Sequence, residues 1–572
     1  MDKESVVKIL YEIAVLLELS GENPFKSRAY ETAARSLERA TENISQLVKE
    51  GTIFQLPGIG AAIGKKIKTL VETGRLEYYE NLKASTPPGH LEMLKIPGLG
   101  PKKIRTLYQA LGITTIGELE YACRENRLLT LPGFGSKTQE NILKGIERVK
   151  QYQSRRLYVE ALEEAQRISA SLREKINLPV TIAGSLRRGA ETVKDIDLLV
   201  ASENPGEVGE IFSRLDSIET VTAHGDTKVS VILKSGINAD LRIVTHEEYP
   251  YALHHFTGSR EHNTALRSRA RDLGFKMNEY GLLHGEEKII CHGEEEIFSH
   301  LHLPYIPPEL RENMGEIEAA ERGELPSLVE EKDIRGILHI HSNFSDGTLS
   351  IEEIALIARQ MGYSYIGITD HSQSAYYAGG LKKEAIIEQA RVINTLNEKM
   401  APFRIFMGIE ADILPDGSLD YEEEILAQFD FVIAAVHSHF QMKEGEMTER
   451  IKRALRHPYT TILAHPTGRL LLSREPYEVN MGEVMAQAAA YRKAIELNAN
   501  PYRLDLSWRN CIHAKKMGVK IAINPDIHDL AGFQYLSLGV KIARKGWLEK
   551  SDCLNCLEAE ELLAFFKKSR GN

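Results

Sequence analysis

Apolar residues are spaced in three different ways along this 572-residue chain. Over the first 150 residues they recur at intervals of three and four. Ile63, Ile67, Leu70 and Val71 share one predicted helical face, and Ile104, Leu107, Tyr108 and Leu111 share another at the same spacing. Basic residues fall elsewhere on both helices: Lys65, Lys66 and Lys68, then Lys102, Lys103 and Arg105. Past residue 150 the pattern becomes strands mixed with helices. "VTIA" (180–183), "DIDLLVA" (195–201) and "INADLRIV" (237–244) read as strands. From about 333 onward short apolar runs alternate with helical segments such as "IEEIALIARQMG". The runs are "GILHIHS", "YIGITDHS", "FRIFMGIEADIL", "FDFVIAAVHSHF", "TTILAHPTG", "KAIELNAN" and "KIAINPDIH". Repeated strand–helix units predict an α/β barrel, which places its functional residues at the C-terminal ends of the strands. The stretch from roughly 301 to 332 is rich in proline and acid and predicts a linker with a short helix.

Length and composition narrow the classes. At roughly 100 to 200 residues per domain the chain holds about three to five domains. No apolar run approaches the ~18 residues needed to span a bilayer, and "MDKESVVKIL" lacks the basic start and apolar stretch of a signal peptide. Five cysteines do not make a disulfide framework at this length, which points to a reducing cytoplasm. Cys553 and Cys556 form a CxxC pair without thioredoxin-like surroundings and read as core or surface residues. The net charge of -10 speaks against nucleic acid only until its distribution is considered. Residues 51–150 carry 15 Lys and Arg against 9 Asp and Glu, a local balance of +6. A basic module on an acidic body suits a DNA-handling enzyme whose active sites hold metal cations.

The basic module repeats a short motif. "LPGIG" ends at Gly60, "IPGLG" at Gly100 and "LPGFG" at Gly135, each just before a helical pattern. The glycines Gly58, Gly60, Gly98, Gly100, Gly133 and Gly135 allow a tight turn close to a partner surface. Such a turn presents free backbone N–H groups at a helix N-terminus, where anions bind. The repeats resemble the helix-hairpin-helix motif, which grips DNA phosphates without reading bases. Lys65, Lys102 and Lys103 are the expected flanking phosphate contacts.

In the middle region "GSLRRG" (184–189) reads as a phosphate-approach turn between two strands. Asp195 and Asp197 lie two apart on a strand, so both carboxylates face the same way. Asp240 interrupts an otherwise apolar run on a third strand. Three converging carboxylates repel one another, and divalent cations remove the conflict. Two hard cations there can activate an attacking oxygen and stabilise a leaving pyrophosphate. Gly184 and Ser185 offer donors to a triphosphate, and Arg187 and Arg188 offer charge.

In order along the chain, "GS-x-RRGAETVKDID", "GDTKVSVIL", "ADLRIV", "HHFTGSREHN" and "NEYGL" resemble the family X DNA polymerases over about residues 1–300. The resemblance implies that Asp195, Asp197 and Asp240 hold two Mg²⁺ ions, with Asp240 also helping to activate the primer 3′-hydroxyl. It implies that Ser185 and Arg188 contact the incoming triphosphate. "FTGS", Phe256 to Ser259 with Gly258 among them, would lie along the sugar, Asn263 would touch the base or its minor-groove edge, and His255 joins them as a nucleotide-binding position. His255 stands where vertebrate-like members carry tyrosine, and Arg260 where they carry an acidic residue. Lys66 falls where some members form a Schiff base with a 5′-deoxyribose phosphate, while a neighbouring lysine is replaced by Ala62. The plainer reading of Lys66 is a DNA-contacting or solvated lysine.

At the strand ends of the last third stand His339, His341, Asp346, Asp370, His371, Glu410, His437, His439, His465, Asp526 and His528. Imidazole and carboxylate delivered by nearly every strand suit Zn²⁺ or Mn²⁺. The order "HxHS…D", "TDH", "E", "H", "HP", "DxH" resembles the polymerase and histidinol phosphatase (PHP) domain over about 333–572. By that resemblance nine ligands would surround three ions: His339, His341, Asp346, His371, Glu410, His437, His465, Asp526 and His528. His439 matches no ligand position. The last motif reads "NPDIH", with Pro525 and Ile527 where smaller or hydroxylated residues are usual.

Taken together the expected protein is multidomain α/β and α+β. A helical 8-kDa-like domain (1–85) and a fingers-like helix-hairpin-helix region (86–150) come first. A nucleotidyltransferase-type palm (151–245), a thumb-like part (246–304), a linker (305–332) and a distorted PHP α/β barrel (333–572) follow. The resemblance implies a DNA polymerase with 3′→5′ exonuclease action that fills short gaps and trims 3′ ends in repair, with 3′-phosphate removal or abasic-site cleavage as further reactions. Expected partners are gapped or nicked DNA and dNTPs, with no membrane, in a monomer working in the cytoplasm at the nucleoid. Two rivals are a small-molecule phosphatase with a vestigial polymerase half, acting on substrates like histidinol phosphate, and a non-catalytic DNA-end scaffold.

Overall fold

The computed structural model describes residues 1, 3–40, 44–96, 98–150 and 155–571, which form two compact units, Met1–Lys150 and Gln151–Asn572. The first unit is helical. Helices Lys3–Ser20 and Pro24–Arg39 pack around Leu10, Ile13, Leu17, Ala33 and Leu37. Helices Ala61–Thr73, Pro101–Leu111 and Ser136–Lys150 begin directly after Gly60, Gly100 and Gly135. Each start is set by a glycine three residues earlier in the left-handed region, with φ of +82° at Gly58, +80° at Gly98 and +85° at Gly133. Pro97 of the second repeat lies outside the described residues. Ile63, Ile67 and Leu70, and then Ile104 and Leu107, are buried as the spacing predicts. Tyr108 is not: it is 45% exposed, its ring edge against His90 at 5.0 Å. A phenol carries a polar tip that favours the helix margin.

The second unit begins with a five-stranded sheet. Its strands are β1 (Thr181–Ile182), β2 (Asp195–Ala201), β3 (Ile218–His224), β4 (Lys228–Leu233) and β5 (Asn238–Val244), in the order β1-β2-β5-β4-β3. Strands β2 and β5 pair in parallel and set Asp197 beside Asp240. Alternation along β2 buries Ile196 and Leu198 and leaves Asp195 and Asp197 partly open. The expected phosphate turn is a single helical turn, Gly184–Arg187. Helices Tyr249–Thr257 and Arg260–Asp272 lead into a small antiparallel sheet of β6 (Phe275–Asn278), β7 (Gly281–His284) and β8 (Glu287–Ile289).

The segment 305–332, expected as a linker, packs into the body instead. Arg311 is fully buried, its Nη1 2.5 Å from Glu294 Oε1 and its Nε donating to the Ile306 carbonyl at 2.8 Å. Glu316 is also buried and sits 2.6 Å from His262 Nδ1. Leu310, Ile317 and Ala320 join the hydrophobic cluster of the neighbouring helices. Proline and acid are surface signals on average, but here Glu316 meets the buried His262, and Glu309 and Glu312 pair with Arg544 and Arg188, while Glu318, Glu321 and Glu324 stay exposed.

Seven parallel strands then follow in chain order: β9 (Gly336–Ile337), β10 (Tyr365–Ile368), β11 (Arg404–Asp412), β12 (Phe431–Ala435), β13 (Thr460–Leu463), β14 (Ala494–Asn498) and β15 (Ile521–Asn524). A parallel bridge between Ile340 and Ile527 joins the first to the last and closes the barrel. Burial on both faces explains the continuous apolar runs. Helix Ala559–Ser569 stacks Phe566 on Phe431 at 4.9 Å. A second hydrophobic cluster, between the barrel strands and their helices, continues into the palm through Tyr158, Val193 and Ile196. Cys553 and Cys556 are free and buried. Among the described residues no helix is long and apolar enough to cross a membrane.

Candidate active sites

The closure of the barrel aims its first two histidines. The His341 N–H donates to the Ile527 carbonyl at 2.8 Å, and the Ile527 N–H donates to the His339 carbonyl at 3.2 Å. Side chains on either side of Ile340 and Ile527 share a face by the period-2 rule, which brings His339 and His341 to Asp526 and His528. Asp526 lies at φ +56° and His465 at φ +24°, backbone that non-glycine residues seldom adopt. Both strands turn sharply where they release a side chain into the site.

Three overlapping groups result, each with ligand atoms within 4.8 Å of one another: His341, Asp346, His371 and His528; His339, His341 and Asp526; His371, Glu410 and His437. His465 joins through Nε2, 3.0 Å from Glu410 Oε1. His439 stays outside, its Nδ1 3.1 Å from Ser438 Oγ.

These donors fit metal rather than one another. His371 Nδ1 lies 2.9 Å from Glu410 Oε2, yet neither atom makes a hydrogen bond. Both nitrogens of His341 and Nε2 of His339 are likewise buried without one. Orphaned polar atoms are rare in buried sites, and here they point inward together. Burial, reinforced by His528 and His371, pushes the His341 imidazole down to about 3, which keeps its lone pair available. Burial lowers the His437 pKa, but Glu410 and Asp412 outweigh it and hold the imidazole up at about 10. Such mutual charging is what a cation relieves.

Two carboxylates that the sequence did not single out orient these histidines. Glu496 accepts from His339 Nδ1 at 2.7 Å and from the His465 N–H at 2.9 Å. Asp412 holds His437 Nδ1 at 2.6 Å. Each fixes a ring so that the opposite nitrogen faces the cluster. Asp412 follows Glu410 by two on one strand, so the alternation was a usable signal; Glu496 had only its place in "IELNAN". Asp370 is engaged elsewhere: its carboxylate accepts from Ser342, Ser345 Oγ and Gln389 Nε2.

The palm site is built differently. A cavity of about 350 Å³ is lined by Gly184, Ser185, Arg188, Asp195, Asp197, His255, Phe256, Gly258, Arg260, Asn263 and Arg267. Gly184, at φ +62°, has the Asp197 carboxylate against it: a Cβ there would lie 2.0 Å from Oδ2. Burial, then Asp195 and Asp240, pushes the Asp197 carboxyl up to about 7. Asp240 pairs with Lys228 Nζ at 2.7 Å. Carboxylates in that state of mutual repulsion suit hard divalent cations. Arg188 donates to Glu312 at 3.0 Å and to the Thr257 carbonyl at 2.5 Å, and Arg187 pairs with Glu294 at 2.6 Å. Asn263 Nδ2 donates to the His255 carbonyl at 2.8 Å, and its buried Oδ1 has no protein partner. Arg242 lies over the Phe256 ring at 4.6 Å.

In the first unit, a Cβ at Gly60, Gly98, Gly100, Gly133 or Gly135 would meet nothing within 4 Å, so these turns are open to a partner. Lys65 and Lys102 are exposed, while Lys103 donates to the Gly98 carbonyl at 3.1 Å. Lys66 is partly buried: it lies 3.4 Å from the Tyr78 ring centre and bonds the Tyr30 hydroxyl. Burial, with Lys26 nearby, lowers its pKa.

Comparison with known proteins follows the same division. Residues 1–76 match the helix-hairpin-helix domain and 91–148 the SAM-like helix-hairpin-helix tandem. Residues 252–312 match the DNA polymerase beta thumb, and 338–500 the PHP domain. A probable phosphatase of Caldicellulosiruptor bescii is 32% identical over 189 residues, 31% of this chain and 73% of the relative. A probable phosphatase of Thermoanaerobacter sp. is 31% identical over 207 residues, 33% of this chain and 77% of the relative. The DNA polymerase/3′-5′ exonuclease PolX of Bacillus subtilis is 40% identical over 575 residues, covering 100% of both chains. With the thumb, the hairpins and the PHP barrel all in place, the chain belongs to the family X DNA polymerases that carry a C-terminal PHP domain.

Proposed function

We propose that this protein extends DNA 3′ ends in the palm and shortens them in the barrel, filling short gaps and trimming unsuitable termini during repair in the cytoplasm. The observation that carries this reading is the presence of two separate centres. One is an open carboxylate triad beside a cationic cavity, and the other a buried cluster at the barrel's end. Asp195, Asp197 and Asp240 would hold two Mg²⁺ ions. The nine barrel residues would hold three ions, Mn²⁺ or Zn²⁺. The ions supply charge neutralisation at phosphorus and lower the pKa of an attacking oxygen.

The chain's own residues do the rest. Gly184 and Ser185 approach the triphosphate with backbone and hydroxyl donors, and Arg188 brings charge to it. Asn263 offers its unpartnered Oδ1 toward the incoming nucleotide, and Phe256 and Gly258 line the sugar side. In the barrel, Glu496 and Asp412 keep His339 and His437 in register. The open glycine turns with Lys65, Lys102 and Lys103 grip the phosphates of gapped or nicked duplex. One chain carries both centres, so a monomer suffices.

A labelled primer on a one-nucleotide gap tests the division. Asp195→Ala/Asp197→Ala should lose extension and keep degradation, and His339→Ala/His341→Ala should do the reverse. Loss of both activities in either folded variant sinks the two-centre reading.

Two observations favour added reactions. The barrel's likeness to probable phosphatases favours removal of a 3′-phosphate. The caged, pKa-lowered Lys66 favours Schiff-base chemistry on a 5′-deoxyribose phosphate. Borohydride should trap the wild type on incised abasic DNA and leave Lys66→Ala untrapped; equal trapping of both removes Lys66 from that role.

A further inference from the structure

The turn that lines the nucleotide cavity is held from behind by the nuclease barrel. Helix Tyr535–Lys545, which follows the last barrel strand, carries Lys541, Arg544 and Lys545 toward the palm. Lys545 is 2% exposed; its Nζ donates to the Arg188 carbonyl at 3.0 Å and to the Glu312 carboxylate. Glu312 also accepts from Arg188 Nε at 3.0 Å. Lys541 packs on Gly189, where a Cβ would meet its Cγ at 3.0 Å, and Arg544 pairs with Glu309 at 2.9 Å. Glu312 belongs to the packed 305–332 segment, so three parts of the chain meet at one carboxylate.

The charge arrangement is asymmetric. Glu312 stands between two cations, and the trio carries one net positive charge. Burial raises the Glu312 pKa, but Lys545 and Arg188 outweigh it and hold the carboxylate below its ordinary range. Burial lowers the Lys545 pKa while Glu312 opposes it. Without Lys545, Arg188 and Glu312 would form a closed neutral pair. A triphosphate drawing Arg188 away would then leave a largely buried carboxylate without a partner, which is costly. With Lys545 in place, Glu312 keeps a partner whichever way Arg188 turns.

We propose that Lys545, a residue of the nuclease barrel, is a positioning residue for the polymerase: it neutralises Glu312 so that Arg188 stays available to the incoming triphosphate. The proposal rests on the reading that Arg188 faces that triphosphate.

Steady-state extension of a one-nucleotide gap by the full chain tests it, with dNTP varied and 3′ degradation followed on the same DNA. Lys545→Met should raise the dNTP KM about tenfold and leave kcat within about twofold, because a charge partner and not a reacting group is lost. Degradation should not change. Adding Glu312→Gln to Lys545→Met should bring KM back to within about threefold of wild type, since the unbalanced carboxylate is gone. Lys545→Arg should restore it too. Failure of the double variant to recover makes Lys545 merely structural and overturns the proposal. Should Lys545→Met fold poorly, Glu312→Gln alone decides the sign: an unchanged or lower KM supports the proposal, and a raised KM overturns it. Arg188→Ala separates the premise. If it leaves KM unchanged, the reading of Arg188 fails. If it raises KM while Lys545→Met does not, the premise stands and the positioning role falls.

Discussion

The barrel and the palm both gather charged side chains that could hold metal ions, and they do so in opposite ways. In the barrel, imidazoles and carboxylates arrive from most of the seven strands, their burial is nearly complete, and nitrogen predominates among the donor atoms. Carboxylates behind them lock the rings: Glu496 behind His339 and Asp412 behind His437. In the palm, three carboxylates come from two neighbouring strands, Lys228 holds one of them, and a cavity of about 350 Å³ opens beside them. A site with its donors fixed before the ion arrives has paid its ordering entropy in folding and holds its ions as residents. An open oxygen triad completes its shell with the substrate's phosphates and water, as Mg²⁺ sites usually do. The difference is one of preorganisation, and it predicts different responses to the same treatments.

Metal removal should separate the centres most widely. After exhaustive chelation and removal of the chelator, Mg²⁺ alone should restore extension to within about twofold. Degradation should stay at least roughly 100-fold down until Mn²⁺ or Zn²⁺ is supplied. Equal recovery of both activities in Mg²⁺ would erase the distinction between resident and borrowed ions.

A smaller effect tests the supporting carboxylates. Glu496→Gln keeps the shape and removes the charge that fixes His339. It should weaken metal retention in the barrel by roughly 10- to 100-fold, read as metal content after dialysis, with degradation falling in step. Extension should be unaffected, because Glu496 touches only barrel residues in its hydrogen bonds. Undiminished metal content in Glu496→Gln would place the retention in the ligands alone.

What the sequence disclosed follows the same contrast. Strand ends carrying His339, His341, Glu410 or Asp526 advertise themselves, because imidazole and carboxylate break apolar runs of period 2 or of continuous burial. Asp195 and Asp197 were legible for the same local reason. Glu496 escaped because its role depends on His339, 157 positions away. The packed 305–332 segment escaped because its composition is that of a surface, and its inward acids find partners far away in the chain: Glu316 at His262, Glu312 at Arg188 and Lys545, and Glu309 at Arg544. Lys545 lies on an ordinary amphipathic helix, and no spacing in the chain points it at Glu312, 233 positions earlier. Local chemistry at an element's end can be read from one sequence, while charge pairs between distant elements have no period to read.

The smallest effect is also the sharpest test of the palm. Burial and its two neighbours raise Asp197 from 3.8 to about 7. In the unfolded chain the carboxyl ionises near its ordinary value, so ionisation penalises the fold. The penalty is absent below pH 3.8, grows as pH rises, and is complete above about 7. Asp197→Asn removes the charge. In chelator it should raise the melting temperature at pH 8 by roughly 2 °C and by less at pH 5, while abolishing extension at any pH. Added Mg²⁺ at pH 8 should stabilise the wild type and do less for the variant, because the ion relieves the repulsion that the substitution has already removed. If Asp197→Asn instead lowers the melting temperature at pH 8 in chelator, the carboxylate is held by donors rather than crowded by charge. The palm would then be as preorganised as the barrel, and the contrast between the two centres would have to rest on donor chemistry alone.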